Sequence, residues 1–226
     1  MKKAGLVVAV EMSALKRKFG EPTETIQYRN DKILKYVMND YELYAIHSGV
    51  GEIAASASAE LLITKFDVDY LFNFGIVGGL TEEISKHRIC VVEQVVHYDM
   101  DTSAIDHCEK GRYFGLYPTP YIPTDKKLLE LATTEIAELK PVICASGDKF
   151  VDTAEERIAI QKAYNADICE MEAAGITLTA NRNAVPCLLI KMVSDGINGG
   201  AAEYEREFEN ASDAAMNALA KIMEKL

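Results

Sequence analysis

The fold class is indicated most clearly by the segment Tyr70-Leu71-Phe72-Asn73-Phe74-Gly75-Ile76-Val77-Gly78-Gly79-Leu80. Its first half, Tyr70–Phe74, is almost continuously apolar, which is typical of a strand covered on both faces. Glycines follow at the carboxyl end, where α/β sheets bind ligands in a crevice. The lysine and serine or threonine of a phosphate-binding P-loop are absent. We therefore expect a central strand whose glycine-rich end lines a site, although turn formation alone could also explain the glycines.

Similar apolar runs recur along the chain, separated by helical patterns. The predicted strands are Gly5–Val10, Leu43–His47, Tyr70–Phe74, Ile89–Val96, Val142–Ala145 and Cys187–Met192. The predicted helices are Glu52–Lys65, Lys126–Leu139, Thr153–Tyr164, Glu172–Asn181 and Glu203–Leu226. Residues Thr25–Tyr44, with a turn at Asn39-Asp40, indicate an antiparallel ribbon. The alternation predicts one α/β domain over residues 1–226, with three layers and a mixed, largely parallel sheet flanked by helices.

Composition excludes several classes of protein. The 226 residues are 49% hydrophobic and 26% charged, as in ordinary globular proteins, and the net charge of −11 disfavours a nucleic-acid surface. No apolar run is long enough to span a membrane, and Glu11 follows the first apolar run too soon for a signal peptide. The five scattered cysteines form no C-x-x-C pair and no metal-ligand cluster with histidine. We expect a cytoplasmic protein with reduced thiols and without a metal, membrane or nucleic-acid partner.

Three further segments carry candidate chemistry. Ser48–Ala54 fits a dinucleotide-binding turn, but the acidic residue Asp69 precedes its strand instead of ending it. Cys169–Gly175 places two glutamates at the start of an alanine-rich helix, where acids also interact favourably with the helix dipole. Leu188–Gly196 is an apolar strand that ends in Ser-Asp at its carboxyl edge, where a capping role is the alternative.

Together these segments resemble the purine nucleoside phosphorylase/nucleosidase superfamily, most closely the methylthioadenosine/S-adenosylhomocysteine nucleosidases. The resemblance runs from Gly5 to about Phe208. It is carried by Ser48-Gly49-Val50-Gly51, Gly75-Ile76-Val77-Gly78-Gly79-Leu80, Ser146-Gly147-Asp148-Lys149-Phe150, Glu170-Met171-Glu172 and Ser194-Asp195. It implies a cofactor-independent hydrolase that cleaves the N-glycosidic bond of adenine nucleosides, such as 5′-methylthioadenosine and S-adenosylhomocysteine, in methionine and purine salvage.

The resemblance implies roles for three carboxylates. Asp195 would hold or deliver a proton at N7 of the purine, which requires a raised pKa of the kind that burial supplies. Glu172 would bind the ribose hydroxyls, and its charge would favour the cationic transition state. Glu11 would activate the attacking water, provided that the turn before it is two residues shorter than is usual in the family. Without that gap, Ser13 falls at the position of the base.

The implied substrate contacts surround these carboxylates. Phe150 would stack on the purine, and the backbone of Val151 would read its edge. Met171 would pack under the sugar, and Tyr204 would close the far side of the base site. The full set is Ile76, Val77, Gly78, Phe150, Val151, Met171, Lys191, Ser194 and Tyr204.

Two of these positions depart from the family pattern. Lys191 stands where an arginine commonly supports the ribose-binding glutamate, so the charge is kept but the two-pronged guanidinium is not. Ile76 replaces a small polar residue.

Phosphorolysis is the main alternative to hydrolysis. Lys16 and Arg29 are the possible phosphate-binding residues, Arg29 resembling one donated by a neighbouring subunit. Asn73 and Tyr204, however, occupy places where phosphorylases have functional arginines. A nucleoside-binding protein without turnover is a third possibility.

We further expect a homodimer. The predicted interface comprises the helix Glu52–Lys65, rich in alanine and serine, and the irregular segment Asp99–Thr124. Residues 102–114 of the partner would then lie near the pocket for the 5′ substituent.

Overall fold

Ten strands form one mixed sheet in the computed structural model, which describes residues 1–226. The strands are β1 (Lys2–Val8), β2 (Glu24–Tyr28), β3 (Asp31–Val37), β4 (Tyr41–His47), β5 (Tyr70–Gly79), β6 (Ile89–His97), β7 (Tyr121–Pro123), β8 (Lys140–Ser146), β9 (Ile168–Glu170) and β10 (Cys187–Asp195). The helices are α1 (Met12–Phe19), α2 (Glu52–Phe66), α3 (Glu82–His87), α4 (Ser103–Asp106), α5 (Lys126–Glu135), α6 (Ala154–Tyr164), α7 (Ala173–Arg182) and α8 (Ala201–Met223).

Strand β5, which contains the apolar and glycine-rich segment from Tyr70 to Gly79, is the central strand. It runs parallel to β1 on one side and to β10 on the other, and β1 also pairs in parallel with β4. The antiparallel strands β2 and β3 extend this side of the sheet beyond β4, so the ribbon predicted from Thr25–Tyr44 is confirmed. On the other side, β10 continues through β6, β8 and β9 back to β5, which closes a ring of five strands.

Helices cover both faces of the sheet, which confirms the three-layer prediction. One apolar cluster joins the sheet to α1, α5 and α8, and Leu15, Leu128 and Leu219 are among its buried members. A second joins the other face to α2 and α7 through residues such as Leu62 and Ile176. None of the helices, including the 23-residue α8, is long and apolar enough to cross a membrane.

The structure differs from the predicted boundaries mainly at the carboxyl ends of β5 and β10. Both strands continue past their predicted ends, to Gly79 and Asp195, because Gly78 pairs with Asp195 on one side and with Cys169 of β9 on the other. The glycine segment is therefore part of a strand and not a loop. The short elements α3, α4, β7 and β9 were not predicted, and the segment Asp99–Thr124 contains only α4 and β7.

Candidate active site

One cavity lies at the shared edge where β1, β5 and β10 end. Parallel neighbours bring their carboxyl ends to the same edge, so residues distant in sequence meet there. The cavity is lined by Ala9, Val10, Glu11, Val50, Ile76, Val77, Gly78, Lys149, Phe150, Val151, Arg157, Cys169, Glu170, Met171, Glu172, Asp195 and Tyr204. The structure thus brings together Glu11, Glu172 and Asp195, the three carboxylates singled out in the sequence.

Glu11 lies just before α1 and is buried. Its Oε1 accepts the backbone N–H of Ile76 at 3.1 Å, and its Oε2 accepts that of Val10 at 3.1 Å. Burial raises the pKa of Glu11, although these bonds and the charge of Lys191 act in the opposite direction. Gly75 permits the approach, because a Cβ there would lie 2.9 Å from Oε1 of Glu11. Ser13 is exposed and lies outside the cavity.

Glu172 is held by the glycine-rich turn that follows β4. The backbone N–H of Gly51 donates to Oε1 of Glu172 at 2.9 Å. Gly51 has φ = 103°, a conformation that favours glycine, and a Cβ there would lie 2.9 Å from Oδ1 of Asp148. Burial, followed by the charge of Glu170, raises the pKa of Glu172 to about 7. The turn that resembles a dinucleotide motif therefore orients a carboxylate of this cavity.

Lys191 forms no ion pair with Glu172, although its charge acts to lower the pKa of that carboxyl. Its Nζ pairs with Oε2 of Glu170 at 3.0 Å, with both side chains buried, and it does not line the cavity. A lysine ammonium lacks the two-pronged geometry with which an arginine can engage two carboxylates. Burial alone would raise the pKa of Glu170. The charge of Lys191 and the hydroxyl of Ser146 outweigh burial, so this pKa is lowered. Glu170 in turn accepts the backbone N–H of Glu172 at 3.1 Å, so Lys191 acts on the site through the start of α7.

Asp195 is buried beside a cation that sequence analysis missed. The hydroxyl of Ser194 donates to Oδ1 at 2.6 Å, and the guanidinium of Arg157 donates to Oδ2. The side chains of Arg157 and Asp195 are each 1% exposed. The only sequence signal for this residue is that α6 has no acidic side chain three or four positions from Arg157.

Aromatic side chains form part of the cavity wall. Phe150 is 42% exposed, and its ring meets that of Tyr204 edge to face at a centroid distance of 5.5 Å. Tyr204 makes a similar contact with Phe208 at 5.7 Å. Ile76 and Val77 are buried, and Met171 is partly buried at the cavity surface. This wall is suited to a flat apolar group such as a purine.

The possible phosphate-binding residues are not in this cavity. Lys16 is exposed on α1, and Arg29 is exposed in the turn between β2 and β3. The cations that do line the cavity are already paired, Lys149 with Glu156 and Arg157 with Asp195. Asn73 points its Nδ2 at the carbonyl oxygen of Val7, 3.0 Å away.

The closed five-strand ring and the carboxylate-lined cavity at its edge define an α/β protein of the nucleoside phosphorylase type. The family model described as the phosphorylase superfamily matches residues 3–226, and the chain belongs to this superfamily.

Characterised relatives extend over almost the whole chain. An aminodeoxyfutalosine nucleosidase from Campylobacter jejuni is 30% identical over 209 residues, which is 89% of each chain. A 5′-methylthioadenosine/S-adenosylhomocysteine nucleosidase from Staphylococcus aureus is 29% identical over 231 residues, 98% of this chain and 97% of the relative. The crystal structure of the corresponding Helicobacter pylori nucleosidase with butyl-thio-DADMe-Immucillin-A has a TM-score of 0.93 and 25% identity, covering 100% of this chain and 99% of that one.

Proposed function

We propose that this chain, acting as one domain over residues 1–226, is a nucleosidase that hydrolyses the N-glycosidic bond of adenine nucleosides, such as 5′-methylthioadenosine and S-adenosylhomocysteine. The observation that carries the proposal is the burial of Glu11, Glu172 and Asp195 around one cavity, while Lys16 of the same chain lies outside it. The names of the relatives agree with this activity.

The proposed mechanism gives each carboxylate a separate task. As the bond from C1′ to the base breaks, its electrons leave with the purine, and N7 takes up a proton that Asp195 delivers. Glu172 binds the ribose hydroxyls and stabilises the positive charge that develops on the sugar. Glu11 accepts a proton from water as the water oxygen bonds to C1′. A pKa raised towards neutrality makes a carboxylate a stronger base for this step.

Hydrolysis is favoured over phosphorolysis because an attacking phosphate needs free cations. Lys149 and Arg157 already have carboxylate partners, and Asn73 supplies no charge where the phosphorylases have an arginine. Product analysis with and without phosphate tests this directly. Release of the free sugar in both conditions supports hydrolysis, whereas a sugar 1-phosphate that depends on phosphate supports phosphorolysis. Nucleoside binding without either product would indicate a non-catalytic binding protein.

Aminodeoxyfutalosine is a second candidate substrate, because the 30% identical relative from Campylobacter jejuni is named for its action on it. The two candidates differ in the substituent at the 5′ carbon. Comparing kcat/KM for 5′-methylthioadenosine and aminodeoxyfutalosine decides between them.

We propose that the enzyme is a cytoplasmic homodimer. Ile53 on α2 is 82% exposed, and Ile105 and Phe114 in the segment 99–124 are 76% and 58% exposed. Apolar side chains concentrated on two adjoining regions favour a protein interface. In such a dimer, residues 102–114 of the partner would lie near the 5′ pocket. All five cysteines are free thiols, in keeping with a reducing compartment.

A further inference from the structure

The first turn of α7 has all of its backbone donors bound by side chains. The first four N–H groups of an α-helix have no partner within the helix. In α7 they belong to Glu172, Ala173, Ala174 and Gly175. Glu170 accepts the first two at 3.0–3.1 Å. Oγ of Ser146 accepts the third at 3.1 Å, and Oε2 of Glu52 accepts the fourth at 2.5 Å.

Glu52 links this helix end to the turn that holds Glu172. It directly follows Gly51, whose N–H donates to Oε1 of Glu172 at 2.9 Å. The start of α2 also lies against the start of α7, because a Cβ on Gly175 would lie 2.5 Å from the backbone oxygen of Glu52. Glu52 therefore connects the two segments between which the carboxylate of Glu172 is held.

The contact between Glu52 and Ser146 requires a neutral carboxyl group at Glu52. Oγ of Ser146 accepts the N–H of Ala174, lies 2.5 Å from Oε1 of Glu170 and also contacts Oε1 of Glu52. Glu170 is ion-paired with Lys191, so it accepts the single hydroxyl proton. The remaining lone pair of Ser146 then accepts a proton from Glu52. Glu52 thus donates with one oxygen and accepts with the other, as the amide of glutamine also can.

We propose that Glu52 is a positioning residue, which holds Glu172 in the cavity by joining Ser146 to the first turn of α7. The inference rests on the proposed nucleosidase function, in which Glu172 binds the ribose hydroxyls. Glu52 does not line the cavity, so it acts on the substrate only through Glu172. The link matters because the carboxylate of Glu172 accepts a single hydrogen bond, from Gly51.

The test compares Glu52→Met with Glu52→Gln. Methionine has a similar length but makes neither bond, so the first turn of α7 loses its connection to Ser146. Glu52→Met should lower kcat/KM for 5′-methylthioadenosine on the order of 10–10²-fold, as a small displacement of a positioned group does. Glu52→Gln should lower it about threefold or less, because its amide can make both bonds.

Asp125→Ala is the matched control. Asp125 also binds the first turn of a helix, since it accepts the N–H of Leu128 at 2.9 Å at the start of α5, and it does not line the cavity. Loss of this cap should lower the free energy of unfolding. It should leave kcat/KM unchanged, because α5 does not carry Glu172.

Binding measurements distinguish the positioning of Glu172 from general damage to the cavity. Free adenine lacks the sugar, whereas an adenine C-nucleoside carries the ribose hydroxyls on a carbon–carbon bond that is not hydrolysed. Glu52→Met should weaken binding of the C-nucleoside about tenfold, the loss expected for a hydrogen bond to a charged group. Binding of adenine should stay nearly the same.

A double-mutant cycle tests whether Glu52 acts through Glu172. Glu52→Met should cost much less kcat/KM in a Glu172→Gln background than in the wild type. If Glu52→Met does not fold, Glu52→Asp takes its place in every measurement. Its carboxyl is one methylene shorter, so it cannot reach both Ser146 and Gly175.

Three results would overturn the inference. The first is a folded Glu52→Met variant with the kcat/KM of the wild type. The second is an equal loss of binding for adenine and the C-nucleoside, and the third is an equal cost of Glu52→Met with and without Glu172→Gln. A wild-type protein that neither binds nor hydrolyses adenine nucleosides would instead overturn the proposed function, and the inference with it.

Discussion

The carboxyl groups of Glu52 and Glu170 meet at the single hydroxyl group of Ser146. Oγ of Ser146 lies 2.5 Å from Oε1 of Glu170 and also contacts Oε1 of Glu52. A hydroxyl carries one proton, so it can donate to only one of these groups, and the other must donate to it. Lys191 and two backbone N–H groups surround Glu170, which makes Glu52 the protonated partner. Burial, followed by the charge of Glu170, raises the pKa of Glu52 to about 8.

This pair predicts how stability depends on pH. The pKa of Glu52 in the folded state is raised above its ordinary 4.5. Protonation of Glu52 therefore stabilises the fold fully below pH 4.5, and this stabilisation is lost as pH rises to about 8. We expect Glu52→Gln, which imitates the neutral acid, to reduce the fall in the free energy of unfolding across this range. Urea unfolding at several pH values measures this free energy. Some decrease in the free energy of unfolding with pH should remain in the variant, because the pKa values of Glu11 and Glu172 are also raised. If Glu52→Gln shows the same decrease as the wild type, Glu52 is not the protonated partner.

A second prediction concerns the pH dependence of catalysis. Glu172 must be ionised to stabilise a cationic sugar, and its pKa is raised to about 7. We therefore expect kcat/KM to rise with pH through about 7. Glu172→Gln should lower kcat/KM on the order of 10²–10⁴-fold, comparable to the loss of other positioned charged groups. Steady-state rates over a pH series provide the check. Loss of binding with no change in kcat would argue against a transition-state role.

The third prediction concerns Asp195. Asp195→Asn keeps the size of the side chain but removes its charge. Turnover should fall on the order of 10²–10⁴-fold, with substrate binding changed less. Single-turnover rates together with equilibrium binding separate these two effects. If the variant hydrolyses adenine nucleosides as fast as the wild type does, Asp195 has no catalytic role.

The fourth prediction is that the protein sediments as a dimer at micromolar concentration. Ile53→Asp, on the exposed face of α2, should shift the equilibrium towards the monomer, because it places a charge in the apolar interface. Ile158→Asp on α6 is the control, since Ile158 is also exposed but lies outside the proposed interface. A wild-type monomer would contradict the proposed dimer, and a hexamer would favour the phosphorylase alternative.

The sequence predicted the strands and the carboxylates that follow them more fully than it predicted the partners of those carboxylates. Asp195 was located because it directly follows an apolar strand, and Glu172 because it opens a helix. Arg157 and Glu52 were missed because the groups they contact are 38 and 94 positions away along the chain. Lys191 was assigned to Glu172 and contacts Glu170 instead. Contacts of this kind depend on how α2, α6 and β9 pack, which local sequence patterns do not encode.

Product analysis of Glu11→Gln, with and without phosphate, shows whether Glu11 activates the water for hydrolysis. Glu11 contacts the backbone of Ile76 at the cavity, whereas Ser13 is exposed. We expect Glu11→Gln to abolish hydrolysis and to leave nucleoside binding within about tenfold, since the lost interaction develops mainly in the transition state. Ser13→Ala should cost much less, and phosphate should not restore the Glu11→Gln variant. Appearance of a sugar 1-phosphate on adding phosphate would contradict the proposed hydrolysis and identify the protein as a phosphorylase.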